Sequence, residues 1–137
     1  MNGSERIGPV AGAEEAWEPP AALPALDACE LFHCLVDERE VSVTLGFDLC
    51  PAPPAVLEHW GNGDGGNAFE FFLTFTSVAG LRVSGRGGSA RRTVRILRAP
   101  GPRGITVTVE SPTEHLAFRA EEARLTRART YLAATSP

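Results

Sequence analysis

Lysine and glutamine are missing from this chain, methionine and tyrosine occur once each, and every one of the 13 basic residues is arginine. Cysteine is almost as scarce. Cys29, Cys34 and Cys50 form an odd set with no Cys-x-x-Cys pair, which excludes the dense, even framework of a disulfide-stapled secreted domain. They read as reduced thiols, mostly buried, in a cytoplasmic protein. No run of about 18 apolar residues occurs, so no membrane helix is expected. The first residues also lack the basic start and apolar stretch of a secretory signal. A net charge of -4 is too mild to point to wholesale nucleic-acid or membrane binding.

What is present is a globular composition. Of 137 residues 43% are hydrophobic, enough for one domain with a core and too few for two. Residues 1–21 are Gly, Ala, Glu and Pro with little apolar periodicity. They read as a flexible segment from which Trp17 alone can dock. The domain then spans residues 22–134, and 135–137 are a tail.

Period-two patterning runs through that domain. Glu40–Asp48 places Val41, Val43, Leu45 and Phe47 on one face against Ser42, Thr44 and Gly46. Ala68–Val78 places Phe69, Phe71, Leu73 and Phe75 together, and three phenyl rings at that spacing mark the centre of the core. Ile105, Val107 and Val109 alternate with Thr106 and Thr108. Leu81–Gly85, Arg91–Arg98 and Leu116–Ala120 complete the strands. Cys29–Val36 and Ala123–Tyr131 fit a strand or a short helix. Leu49–Asn67, broken by Pro51, Pro53 and Pro54 and by a Gly-rich run after Trp60, reads as loop. About seven or eight short strands with frequent turns predict a mainly β fold. An antiparallel β-sandwich, a strongly curved sheet or an open barrel fits, with room for one short helix.

Catalytic signatures are lacking, so an enzyme is not expected. Gly61, Gly63 and Gly66 satisfy Gly-x-Gly-x-x-Gly, but a dinucleotide site needs that run between a strand and a helix. Asn62 and Asp64 lack the further oxygen ligands of a calcium loop. His33, Cys34, Cys50 and His59 lack the spacing of a zinc site, and nothing fixes a Cys–His nucleophile pair. Neither a cofactor nor a metal is expected.

Charge is distributed unevenly. Residues 1–81 hold 13 acids against two Arg, and residues 82–137 hold 11 Arg against four acids. Arg82, Arg86, Arg91, Arg92, Arg95, Arg98 and Arg103 fall close together. Either they pair with the acids of the first part, or Arg82, Arg86, Arg91 and Arg95 form a face for nucleic acid or another anionic ligand.

The order of signals carries a resemblance. Leu23–Asp27 (LPALD) leads in, Asp37–Asp48 (DEREVSVTLGFD) follows, and Trp60 comes after a proline-rich stretch. Then come Leu73–Gly85 (LTFTSVAGLRVSG), two alternating strands and Ala117–Leu132 (AFRAEEARLTRARTYL). Over residues 22–132 this resembles the immunity protein 50 family of bacterial polymorphic toxin systems. The resemblance implies a small cytoplasmic domain that neutralises a cognate toxin by binding it. An inhibitor of that kind uses a rigid sheet with complementary charge, and acids speed the capture of a basic target. Asp37, Glu38, Glu40 and Asp64, on a turn and a loop, are the candidate contacts. A homodimer through a sheet edge is a further expectation, and nucleic acid is the lesser partner.

Overall fold

Nine strands and one helix make up the computed structural model, which describes residues 15–19, 22–61, 63, 65–85 and 91–134. The strands are β1 (Glu15–Ala16), β2 (Glu30–Asp37), β3 (Ser42–Leu49), β4 (Ala68–Thr76) and β5 (Ala79–Gly85). They continue with β6 (Thr93–Arg98), β7 (Ile105–Ser111), β8 (Glu114–Ala120) and β9 (Glu122–Tyr131), and α1 (Pro54–Gly61) lies between β3 and β4. All pairings are antiparallel. One sheet has the order β1-β6-β7-β8-β5 (sheet A), the other β2-β3-β4-β9 (sheet B), and neither closes into a barrel. The expected mainly β architecture is what forms.

Alternation decides which faces meet. In sheet B, Val43, Leu45, Phe47 and Leu49 pair across from Phe75, Leu73, Phe71 and Phe69, and all eight side chains are buried. Sheet A turns Ile96, Ile105, Val107, Val109, Phe118 and Ala120 toward them, forming one apolar cluster. Phe75 joins the two layers, its ring 5.4 Å from Phe118 and 6.5 Å from Trp17. Each buried phenyl contributes about 1.5–3 kcal/mol.

The remaining sequence expectations divide on local grounds. Cys29–Val36 and Ala123–Tyr131, ambiguous by pattern, are both strands, because each finds an edge of sheet B to pair with. Within the segment expected to be loose, Glu15–Ala16 pairs with β6, and the Trp17 amide donates to the Ile96 carbonyl at 3.2 Å. Two expectations are corrected. The stretch after Pro53 is a helix, since Pro54 stands at its first position, where no amide partner is needed. Trp60 anchors that helix by stacking on Phe69 at 5.4 Å and donating its indole N–H to the Ala22 carbonyl at 3.0 Å. Val41 leaves the inward row: its φ of 53° places it in the β2–β3 turn, exposed.

Gly46 shows how the outer face of sheet B is built. A Cβ there would lie 2.7 Å from Cε2 of Phe72 and 2.8 Å from Cβ of His33. The absent side chain is the seat of the Phe72 ring, which packs edge-on against Phe32 and His33, each at 5.6 Å. Phe32 reaches that face because β2 shifts register between Leu31 and His33.

Candidate binding surface

Exposed apolar side chains concentrate on one side of the sandwich. Of the seven exposed large hydrophobic residues among those described, Phe32, Leu35, Val36, Val41, Leu81 and Val83 belong to β2, the turn after it, or β5. Both strands are sheet edges, β2 of sheet B and β5 of sheet A. Their core-side residues face a gap. Cys34 and Val36, opposite Leu45 and Val43, share the inward face of β2 with Leu31. Val83, opposite Leu116, holds the matching position on β5 and is 69% exposed.

Two hollows lie in that gap and share Val36. The first, about 190 Å³, is lined by Leu31, Cys34, Val36, Val83, Val109 and Leu116, with Arg92, Ser84, Glu114 and His115 at its polar margin. The second, about 260 Å³, runs from Val36 past Val41 and Val78 to Leu81. Asp37 and Glu38 border it. The two sheets therefore part along β2 and β5 and leave an apolar groove.

The acidic candidates meet this groove at one end. Asp37 closes β2 and its carboxylate accepts the Arg39 and Glu40 amides at 3.0 and 3.1 Å, so it builds the turn. Glu38 and Glu40 are exposed on the same turn. The turn is fixed to the start of β5 by the Val78 amide, which donates to the Val41 carbonyl at 3.0 Å. Asp64, like Asn62, lies outside the described residues.

The arginine cluster splits by partner. Arg91 donates to the carbonyls of Asp27 and Cys29 at 3.0 and 3.3 Å, and Arg92 to that of Leu31 at 3.0 Å. These guanidiniums, together with Arg103 on the Ser77 carbonyl, satisfy main-chain oxygens instead of the acids of residues 1–81. One terminal nitrogen of Arg91 is thus committed to main-chain oxygens, and Arg86 lies outside the described residues. Register places Arg82 and Arg95 in one row across the outer face of sheet A, separated by Ala117 and Thr108. Arg119 lies in the adjacent row of that face. None of these three forms an ion pair or side-chain hydrogen bond among the described residues.

Sheet B's outer face is more fully satisfied. Arg129 pairs with Glu70, Tyr131 donates to Asp48, and Thr44, Thr74 and Thr126 bridge their hydroxyls at 3.0 Å. The bond to Asp48 pushes the Tyr131 hydroxyl well above its usual range, and burial adds to this. Arg127 lies over the Phe72 ring, 5.9 Å from its centre.

Nucleophilic chemistry gains little here. Burial, with the Asp48 charge second, pushes the Cys29 thiol up to about 11. Burial likewise raises Cys34. Both are held protonated at neutral pH, so neither is an activated thiolate. Their neighbour His33 packs on Phe72 outside the sheet, away from the hollow that Cys34 lines. Among the described residues, no group of three or more His, Cys, Asp or Glu side chains is placed to hold a metal ion. The glycine run follows α1 and leads into β4, the reverse of the order a dinucleotide site requires. No described helix is long and apolar enough to cross a membrane.

Comparison of the chain with protein-family models, with curated proteins and with solved structures finds no match.

Sequence reasoning missed Cys34, Val36, Leu81 and Val83 as surface residues. Each stands in an alternating or doubly apolar run, and such runs read as core. The signal was the apolarity of β2 on both faces (Phe32 and Leu35 as well as Leu31 and Val36), which exceeds what one core can cover.

Proposed function

We propose that this chain is an immunity-type protein that neutralises a bacterial toxin by direct binding, with the groove between β2 and β5 as its contact surface. The class of toxin system comes from the resemblance over residues 22–132. The location is supported by one observation above all: four of the seven exposed large hydrophobic residues among those described, Val36, Val41, Leu81 and Val83, line its two hollows. Single exposed aliphatics are ordinary, whereas a contiguous apolar strip with a polar rim is a feature of protein contact sites. Glu38 and Glu40 supply such a rim at one end, where they can steer a basic surface. The test is co-expression with a candidate toxin domain from the source genome. The wild-type chain should restore growth and co-elute with the toxin as a complex of fixed stoichiometry. Val83→Glu, at an exposed site, should fold normally and lose both. Growth restored equally by Val83→Glu would overturn the placement, and no complex with the wild-type chain would overturn the function.

Arg82, Arg95 and Arg119 favour a second reading, an anionic-ligand or nucleic-acid binding module on the outer face of sheet A. Unpaired guanidiniums on a flat face suit phosphate contact, although no aromatic ring stands beside them for base stacking. Retention on RNA that falls steeply with salt, and falls further in Arg95→Ala, would replace the first reading.

A further inference from the structure

We infer that the groove takes an extended segment of the partner, which adds to sheet A along the free edge of β5 and carries an acidic side chain across from Arg82. This deepens the reading above and rests on it. β5 is bonded to β8 alone, and its other edge pairs with nothing among the described residues. It spans seven residues without proline, and its one charge is Arg82. An open edge of this kind is a template for a further strand: main-chain bonds supply affinity, and alternate side chains supply specificity.

Alternation then sets the chemistry of the occupant. Side chains pointing as Val83 does enter the hollows beside Val36, Cys34 and Leu116, so they must be apolar. Side chains pointing as Arg82 does lie on the outer face of sheet A. Arg82 has no anionic partner there among the described residues, and its cross-strand neighbour Ala117 carries no charge. A carboxylate beside it completes the pair, whereas a second cation would be repelled.

Other occupants fit less well. A second copy pairing β5 with β5 in full register about a two-fold axis sets Arg82 against Arg82. Pairing β2 with β2 sets Glu30 against Asp37, and the Leu31 carbonyl of that strand is already taken by Arg92. Like charges directly across strands oppose both arrangements. A helix about 10–12 Å across needs a wider trough than hollows of about 190 and 260 Å³, which suit individual side chains.

The experiment titrates capped heptapeptides of alternating valine and glutamate into the full chain, beside a valine–arginine twin and a glutamate peptide N-methylated at alternate residues. The glutamate peptide should bind about tenfold more tightly than the arginine twin. N-methylation should weaken it by about tenfold through lost main-chain bonds. Amides of β5 should gain exchange protection, and Arg82→Glu should invert the charge preference. Arg82 is exposed and unpaired, so that variant should fold. A preference unmoved by Arg82→Glu, or binding indifferent to N-methylation, would overturn strand addition. If Val83→Glu nevertheless abolishes the toxin complex, only the mode of binding falls. If the complex survives Val83→Glu as well, the docking surface falls with it.

Discussion

Replacing Gly46 by alanine tests the outer architecture of sheet B through a single methyl group. The added Cβ would stand 2.7 and 3.0 Å from two atoms of the Phe72 ring and 2.8 Å from Cβ of His33. Carbon atoms prefer about 3.5–4.0 Å, so each contact is short by roughly 0.5–1 Å. The Phe72 ring can move only by leaving Phe32 and His33, and the His33 Cβ moves only with the backbone of β2. Overpacking of this kind costs about 1–3 kcal/mol. Alanine regains about 0.5–1 kcal/mol of the backbone entropy that glycine loses in a strand. The expected net loss is therefore about 1–2 kcal/mol. Urea unfolding followed by the fluorescence of Trp17 and Trp60 should show the midpoint falling by about 1 M with an unchanged slope. In a Phe72→Ala background the same substitution should cost about half as much or less, since only the His33 contact remains. A neutral or stabilising Gly46→Ala, or a penalty identical with and without Phe72, would refute the seating of that ring.

Other substitutions probe the layers and their closure. Phe75→Ala, which removes the ring between Trp17 and Phe118, should cost about 3–5 kcal/mol, measured by thermal or denaturant unfolding. Arg92→Met should cost about 1 kcal/mol and speed amide exchange in β2, because the partly buried bond to the Leu31 carbonyl is lost. With Ellman's reagent at pH 8, Cys34 and Cys50 should react in the native protein and Cys29 only on unfolding. The Cys29 thiol ionises near 11 when folded against 9.0 when free, so the fold favours its protonated form. That contribution should be complete below about pH 9 and should fade as pH rises toward 11, visible as a pH-dependent unfolding midpoint that Cys29→Ala flattens.

The sandwich was legible wherever one face of a strand is buried and the other is not. Phe69, Phe71, Leu73 and Phe75 announced β4, and Ile105, Val107 and Val109 announced β7, because period two has no helical counterpart. Pattern was blind where tertiary pairing decides. Glu15–Ala16 has no intrinsic reason to be a strand and becomes one only because the edge of β6 is free. The α1 helix hid behind its prolines, which break a ladder yet suit a first helical turn. At the candidate site, the β2–β3 turn and its acids could be read from sequence. The groove could not, since it depends on which strands become edges and on how far the two sheets part. Arg91 and Arg92 illustrate the same limit: sequence shows an arginine pair, and only the fold brings the carbonyls of Cys29 and Leu31 beneath it.

The most direct test of the binding surface is hydrogen–deuterium exchange of the chain alone and in complex with its toxin. Protection should appear in 31–42 and 78–85, along β2, its turn and β5, and should spare β6 and β9. A footprint centred on Arg95 and Arg119, or on β9, with no change in β5, would contradict the account.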